Sequence, residues 1–199
     1  MRSGECIAYW IIYWRERASV RHGLAVVLTG FGCVFQSDAR VLILGSMPGQ
    51  ASLDHTQYYA HPRNSFWYIM EQLFDAGWNR PYQQRLSTLL QHRIALWDVV
   101  HQCIRKGSLD AAIDNKSIVA NDFQSLFNQC PDLHHVFFNG QKAARLFAEL
   151  IEPTLQASPS RATLSYMTLP STSPAHATMS REQKLNEWSC IADCLSRDL

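Results

Sequence analysis

A short apolar run that ends in a glycine- and proline-rich turn places the strongest constraint on the fold. Residues 41–44 read Val-Leu-Ile-Leu, and residues 45–49 read Gly-Ser-Met-Pro-Gly. An apolar run of this length, stopped by turn residues, predicts a strand that is buried on both faces, as in a parallel sheet. The turn after such a strand lies at the edge where open α/β sheets bind ligands. The sequence therefore predicts an α/β protein with a ligand site directly after this strand.

Strand and helix patterns alternate along the rest of the chain. The predicted strands are residues 41–44, 94–100, 133–138 and 163–169. The predicted helices are residues 64–74 and 82–92, one that begins at Asn121 or Asp122, residues 141–150, and residues 180–199, where Ser180 and Gln183 form a capping box. Such alternation predicts a three-layer α/β/α sandwich around a mostly parallel, four-stranded sheet. We expect one domain at residues 37–199 and an N-terminal extension at residues 1–36.

Composition narrows the class of protein. A content of 47% hydrophobic and 18% charged residues is typical of a soluble globular protein. The net charge of +1 shows no bulk attraction for nucleic acid, but it fits a nucleic-acid enzyme whose few cations cluster. The six cysteines are scattered without a C-x-x-C pair, which favours reduced thiols and a cytoplasmic location over a metal site.

The extension is apolar at its start. Residues 6–14 read CIAYWIIYW, which is too short for a membrane span of about 20 residues. The stretch also lacks a clear cleavage site, which argues against a secretory signal, and we expect no membrane partner. An extension that packs on the domain and residues added by an upstream start codon both fit this pattern.

Polar residues follow each predicted strand. The first strand is followed by Tyr58, Tyr59, His61, Arg63 and Asn64, the second carries Asp98, the third ends at Asn139-Gly140, and the fourth leads into Pro-Ser-Thr-Ser-Pro and His176. Each of these residues alone has an ordinary explanation as a turn, a cap, a core aromatic or a surface histidine. Because the ends of parallel strands meet at one edge, their coincidence predicts a pocket there. The pocket lacks a phosphate-loop lysine, a nucleophile elbow and paired metal ligands, so we expect no cofactor and no metal.

Several phrases of the sequence resemble the uracil-DNA glycosylase superfamily. The G-x-x-P-G turn at residues 45–49 and the P-S turn at residues 170–174 resemble its two motifs. The phrases QYYAHPRNSFW, ALWDV, GSLD, FNG and LPSTSPAHA resemble its hypoxanthine-DNA glycosylase branch. The resemblance spans roughly residue 37 to the C-terminus. It implies a monofunctional, monomeric DNA glycosylase that acts on double-stranded DNA containing a damaged base, in base excision repair.

The resemblance also implies roles for individual residues. Asn64 is the implied catalytic residue, which positions the hydrolytic water or stabilises the departing base. The implied base pocket consists of Gly45, Ser46, Met47, Pro48, Gly49, Tyr59, Asp98 and Asn139, with Tyr59 stacking on the flipped base and Asn139 either reading a purine edge or shaping the pocket. The implied DNA contacts are His61, Arg63, Ser171, Thr172, Ser173, Pro174, Ala175 and His176.

Two residues depart from the superfamily pattern. Met47 stands where mismatch-type enzymes carry a water-activating asparagine. Leu169 stands where uracil-specific enzymes carry a catalytic histidine. These apolar residues argue against uracil removal by the usual route and shift the catalytic role to Asn64. A uracil or mismatch glycosylase and a non-catalytic nucleotide-binding module remain the alternatives.

Overall fold

The computed structural model describes residues 26–155 and 164–197, which contain seven strands and seven helices. In chain order the strands are β1 (Val27–Thr29), β2 (Val41–Gly45), β3 (Ile94–Asp98), β4 (Val100–Ile104), β5 (Val119–Ala120), β6 (His135–Asn139) and β7 (Ser165–Leu169). The helices are α1 (Gln50–His55), α2 (Phe66–Phe74), α3 (Tyr82–Gln91), α4 (Phe123–Gln129), α5 (Gln141–Leu150), α6 (Arg181–Trp188) and α7 (Cys190–Arg197).

Four of these strands form the predicted parallel sheet. Their order is β3-β2-β6-β7, and every neighbouring pair is parallel. The register places Gly45 opposite Asp98 and Asn139 opposite Leu169. The carboxyl ends of all four strands therefore meet at one edge, as the sequence predicts.

The sheet separates two apolar cores. Leu42 and Leu44 of β2 lie in one core, which α4 and α5 cover with residues such as Phe123 and Phe147. Val41 and Ile43 alternate into the other core, which contains residues of four helices: Phe66 and Met70 of α2, Leu89 of α3, Trp188 of α6 and Ile191 of α7. Because helices cover both faces, all five residues of β2 are buried. The predicted three-layer α/β/α architecture is confirmed.

A second, antiparallel sheet was not predicted from the sequence. It has the order β1-β4-β5 and arises because the apolar run at residues 94–100 splits at Val99 into β3 and β4. Strand β1 pairs with β4, and Val34 forms a bridge to Leu96. The described part of the predicted extension, residues 26–36, thus packs on the domain. The boundary at residue 36 stays a prediction, and residues 1–25 lie outside the described residues.

Helix boundaries differ from the sequence patterns in three places. Helix α1 was not predicted, α2 begins at Phe66 rather than Asn64, and the predicted helix at residues 180–199 divides at Ser189 into α6 and α7. The Ser180–Gln183 capping box and the Asp122 N-cap are confirmed. The predicted strand start at residue 163 and the last two residues lie outside the described residues. Within the described ranges, no helix has the length and apolar character needed to cross a membrane.

Candidate active site

The turn after β2 is held from two sides. The β3–β4 connection fixes its backbone, because Val99 N–H and Val100 N–H donate to the carbonyls of Gly45 and Ser46 at 2.9 and 3.0 Å. The loop at residues 105–110 closes over it through three contacts: Ser46 Oγ to Asp110 Oδ2, Arg105 Nη2 to the Pro48 carbonyl, and Gln50 N–H to Ser108 Oγ. We call residues 45–49, Asp98 and the 105–110 loop the first wall.

Two buried oxygens meet over Gly45. A Cβ at this position would collide with Asp98 Oδ1 and lie 3.1 Å from Tyr59 Oη, so the residue must be glycine. Asp98 is 3% exposed, and its Oδ2 has no hydrogen-bond partner among the described residues. Tyr59 Oη is also buried; the Asn139 side chain lies within reach of it, but no hydrogen bond of ordinary geometry joins the two. Buried polar atoms are usually paired, so these two oxygens mark a place for a polar ligand.

Burial dominates the electrostatics of the first wall. Burial, the largest cause, and the nearby Asp110 carboxyl together raise the pKa of Asp98 to about 8, against the opposing charge of the Arg105 guanidinium. Burial also raises the pKa of Asp110, against its hydrogen bond from Ser46 and the charge of Arg105. Arg105 is 6% exposed, and its Nη1 has no partner among the described residues. Burial therefore holds the pKa of Asp98 well above that of an ordinary carboxyl.

The second wall, residues 139–140 and 170–176, is held by satisfied hydrogen bonds. The Asn139 amide clamps Thr172, donating from Nδ2 to Oγ1 and accepting the Thr172 N–H at Oδ1, both at 2.8 Å. Gly140 has φ +95°, and a Cβ there would approach Ser171 Cβ to 2.9 Å, so this close approach requires glycine. Further along, buried Lys184 donates from Nζ to the His176 carbonyl at 2.8 Å.

The segment at residues 58–65 joins the two walls. Tyr58 is fixed through its backbone, because its N–H donates to Tyr82 Oη and its carbonyl accepts from Trp67 Nε1. Tyr59 follows with φ +54°, a left-handed conformation that is strained for a residue other than glycine. At the other end, Ser65 N–H donates to the Thr172 carbonyl at 3.0 Å. The anchored backbone of Tyr58 thus holds Tyr59 in its strained conformation.

The two central side chains of this segment are oriented by α2. The Tyr59 ring stacks on Phe66 with centroids 4.0 Å apart and an interplanar angle of 23°. Asn64 Oδ1 accepts the Phe66 N–H at 2.9 Å, which fixes the amide at the start of the helix. Asn64 is half-buried, and its Nδ2 donates to no described residue. The amide therefore keeps one donor group and one lone pair for a ligand.

Three predicted roles change with the structure. Met47 belongs to the turn by its backbone, but its side chain is buried in the core that contains Leu42 and Leu44. Thr172 is fully buried under Asn139, so its hydroxyl cannot grip a phosphate. The Asn139 side chain uses its oxygen and one amide hydrogen in hydrogen bonds to Thr172. It therefore shapes the pocket rather than presenting a free amide to a purine.

The remaining predicted DNA contacts surround the site at its rim. Arg63 is exposed, and its N–H donates to His61 Nδ1 at 3.1 Å. Ala175 is exposed, and the hydroxyls of Ser171 and Ser173 accept hydrogen bonds from the N–H groups two residues further on. His176 is half-exposed beside Thr178. Their roles toward DNA stay predictions.

Sequence reasoning missed two functional candidates, Arg105 and Asp110. Both lie in a polar loop whose charged residues look like solvated surface, and burial of an arginine is invisible in a sequence. The phrase GSLD at residues 107–110 was the available signal, because Ser108 and Asp110 contact the turn after β2. Across the described ranges, no three His, Cys, Asp or Glu side chains group closely enough to hold a metal ion.

Comparisons with known proteins agree with this geometry. The family model described as the uracil DNA glycosylase superfamily matches residues 33–193. A protein of Methanosarcina acetivorans named hypoxanthine DNA glycosylase is 35% identical over 173 residues, covering 83% of this chain and 98% of the relative. A Methanosarcina barkeri protein of the same name is 37% identical over 129 residues, covering 64% of this chain and 77% of the relative.

A solved structure is also similar. The solution NMR structure of a putative uracil DNA glycosylase from Methanosarcina acetivorans has a TM-score of 0.69 and 31% sequence identity. The similarity covers 86% of this chain and 99% of that one. The residues matched by the family model include both walls and the segment that joins them. The chain belongs to the uracil-DNA glycosylase superfamily.

Proposed function

We propose that the protein is a monofunctional DNA glycosylase that hydrolyses the N-glycosidic bond of deoxyinosine in duplex DNA and releases hypoxanthine. The observation that carries the proposal is the similarity, over 98% of its length, of the relative named hypoxanthine DNA glycosylase. The recessed position of Asp98 and Tyr59 supports it, because a base inside a duplex can reach such a pocket only when flipped out of the stack. The activity belongs to base excision repair of deaminated bases.

Tyr59 and Asn64 have distinct roles in this proposal. One face of the Tyr59 ring is covered by Phe66, so the flipped base stacks on the opposite face. Stacking of this kind contributes about 1–3 kcal/mol per base. Asn64 holds the hydrolytic water with the free lone pair of Oδ1 and with Nδ2, and the Phe66 N–H fixes the direction of that amide. Asn64 is the catalytic residue because the apolar Met47 and Leu169 cannot activate water.

The reaction is a dissociative hydrolysis. The C1′–N9 bond breaks and its electron pair moves onto hypoxanthine, while positive character develops on the sugar. Water then adds its oxygen to C1′ and gives up a proton, so the products are an abasic site and the free base. Donors fixed in place around the base lower the barrier because they need no reorganisation as negative charge develops. No amine nucleophile takes part, so the strand is not cleaved.

The rim of the site positions the duplex. Arg63 and His61 lie beside Asn64 in sequence and supply cationic and polar contacts to phosphates, with Ser171 and Ser173 on the other wall. Ala175 and His176 face the gap that the flipped base leaves. We propose that the enzyme works as a cytoplasmic monomer; the free thiols of the described cysteines are those of a reducing compartment.

Matched duplexes test the proposal. Duplexes with deoxyinosine, deoxyuridine or a G:T mismatch are incubated with enzyme, and abasic sites are then cleaved with alkali. We expect cleavage at deoxyinosine, with the Asn64→Ala variant as the inactive control. Cleavage at deoxyuridine alone would support a uracil-type enzyme instead. Protection of all three duplexes would favour a nucleotide-binding module without catalysis.

A further inference from the structure

We propose that residues 31–32 position the two side chains that meet over Gly45, because their consecutive carbonyls hold the residues that directly precede Tyr59 and Asp98. This inference rests on the glycosylase activity proposed above. It gives part of the N-terminal extension a role in the active site, although the match of the family model begins only at residue 33. Two hydrogen bonds, the packing around them and the strain at Tyr59 support it.

The Tyr58 side chain is held by Phe31 and Gly32. Its Oη donates to the Gly32 carbonyl at 3.1 Å, and its ring meets the Phe31 ring edge-on, with centroids 5.1 Å apart and an interplanar angle of 85°. Tyr58 is buried, and burial raises the pKa of its hydroxyl, so the hydroxyl stays a donor at neutral pH. The residue before Tyr59 is therefore fixed at the far end of its side chain as well as at its backbone.

Trp97 is held by the neighbouring carbonyl. Its Nε1 donates to the Phe31 carbonyl at 3.1 Å, and Trp97 directly precedes Asp98 at the end of β3. Two further hydrogen bonds fix the same segment to this strand, because the N–H groups of Val34 and Leu96 donate to each other's carbonyls at 2.9 and 2.8 Å. A shift of this segment would therefore displace the end of β3.

The conformation of Tyr59 needs such a support. With φ +54°, the residue lies in the left-handed region, which is strained for a residue other than glycine and persists only where the surroundings enforce it. The strained backbone places the Tyr59 ring on Phe66 and its Oη near Gly45. If Tyr58 were free to shift, Tyr59 would relax out of this conformation and its ring would leave the stack. Tyr58 and residues 31–32 thus act through Tyr59, without contact with the base.

A double-mutant cycle tests the inference, with single-turnover rates on a deoxyinosine duplex as the readout. Tyr58→Phe keeps the ring and removes only the donor to the Gly32 carbonyl. It should lower the rate about tenfold, because a small displacement of a positioned group is costly. In a Tyr59→Ala background the same change should lower the rate less than about twofold, since its effect passes through the missing ring. Equal losses in both backgrounds, or no loss in either, would overturn the inference and leave the proposed function intact.

Two variants control for the change itself. Gly32→Ala keeps the accepting carbonyl, and a Cβ there meets nothing within 4 Å, so the rate should stay within about twofold of the wild type. Tyr166→Phe removes a hydroxyl from an exposed side chain of β7 and should leave the rate unchanged. A loss in either variant as large as that in Tyr58→Phe would overturn the inference, since the loss would then not depend on the bond between Tyr58 and Gly32.

NMR of the protein without DNA gives a second readout, which decides alone if Tyr59→Ala is too slow to measure. Nuclear Overhauser contacts between the Tyr59 and Phe66 rings should be strong in the wild type and weak in Tyr58→Phe. Unchanged contacts would overturn the inference. Should Tyr58→Phe fail to fold, Phe31→Ala takes its place in both experiments, because it removes the ring contact to Tyr58. Weakened contacts in the variant, with no deoxyinosine cleavage by the wild type, would overturn the proposed function alone.

Discussion

In the first wall, Asp98 Oδ2 and Arg105 Nη1 are buried with no hydrogen-bond partner among the described residues. In the second wall, the Asn139 amide makes two hydrogen bonds to Thr172, and Lys184 Nζ reaches the His176 carbonyl. The first wall thus leaves buried polar groups open to a ligand. The second wall satisfies its polar groups internally and holds a loop in shape.

The difference suggests that the two walls have different roles. Unpaired buried groups lower stability and are retained where they act on a substrate, whereas paired groups stabilise a surface that must keep its form. We therefore expect first-wall variants to change turnover and its pH dependence. Second-wall variants should change stability and DNA binding. The segment at residues 58–65 joins the two walls, and its Asn64 should be the most sensitive position of all.

Asn64→Ala tests the junction and should give the largest effect. The single-turnover rate on a deoxyinosine duplex should fall on the order of 10³-fold, because a positioned catalytic group contributes about 10²–10⁴-fold. Duplex binding should persist. Asn64→Ser is the matched control, since its hydroxyl can still accept the Phe66 N–H. It should restore this hydrogen bond, about 1 kcal/mol of stability, without restoring the rate. A near-normal rate in either variant would remove Asn64 from the mechanism.

Asp98→Asn tests how much the buried Asp98 carboxyl lowers the free energy of unfolding. The folded protein keeps the Asp98 proton up to about pH 8, whereas the unfolded chain loses it near 3.8. Between these values the folded state binds more protons, so rising pH favours unfolding. We expect this group to cost the wild type about 4 kcal/mol more at pH 8 than at pH 5.

Urea unfolding of the wild type and Asp98→Asn at both pH values measures this cost. The stability difference between the two proteins should grow with pH in favour of the variant, since an amide does not titrate. Equal differences at pH 5 and pH 8 would show that the pKa of Asp98 is not raised in the folded protein.

A graded pair of variants tests the second wall. Asn139→Ala removes both hydrogen bonds to Thr172 and should lower the free energy of unfolding by about 2 kcal/mol. Thr172→Val removes only the bond to Oγ1 and should cost about 1 kcal/mol, since the Thr172 N–H still reaches Oδ1. Both should weaken duplex binding in the same order. If Thr172→Val costs as much as Asn139→Ala, the Thr172 N–H does not bond to Asn139 Oδ1.

Arg63→Ala should give the smallest effect. Loss of one exposed phosphate contact should weaken binding about three- to fivefold, equally for deoxyinosine and undamaged duplexes, and reduce the salt slope by about one. Fluorescence anisotropy at several salt concentrations measures both quantities. Arg145→Ala, which removes an exposed cation on α5 beside Glu149, should leave binding unchanged. A loss confined to the deoxyinosine duplex would place Arg63 at the base instead.

Much of the fold could be predicted from the sequence because three of the four parallel strands are largely buried and apolar, and the exposed strand β7 ends in a proline turn. The four strands of the parallel sheet are fully apolar runs or end in turn residues, and both signals are local. Helix α1 was missed because QASLDH has no apolar periodicity, and its buried residue is Ser52. The antiparallel sheet was missed because an unbroken apolar run at residues 94–100 hides the separation of β3 from β4 at Val99.

The site was predictable in outline but not in its contacts. Strand ends placed Gly45, Asp98 and Asn139 at one edge, since parallel register requires it. The sequence could not show that the Asn139 amide hydrogen-bonds to Thr172, because that contact joins residues 33 positions apart. Nor could it show that Arg105 is buried over the turn, because long-range packing rather than local pattern decides burial.

Identification of the released base tests the central claim most directly. A duplex with a single deoxyinosine is incubated with the enzyme, and the small-molecule fraction is analysed by mass spectrometry. We predict free hypoxanthine in equal amount to the abasic sites formed, with no strand break before alkali treatment. Absence of hypoxanthine, or cleavage of the strand without base release, would contradict the account.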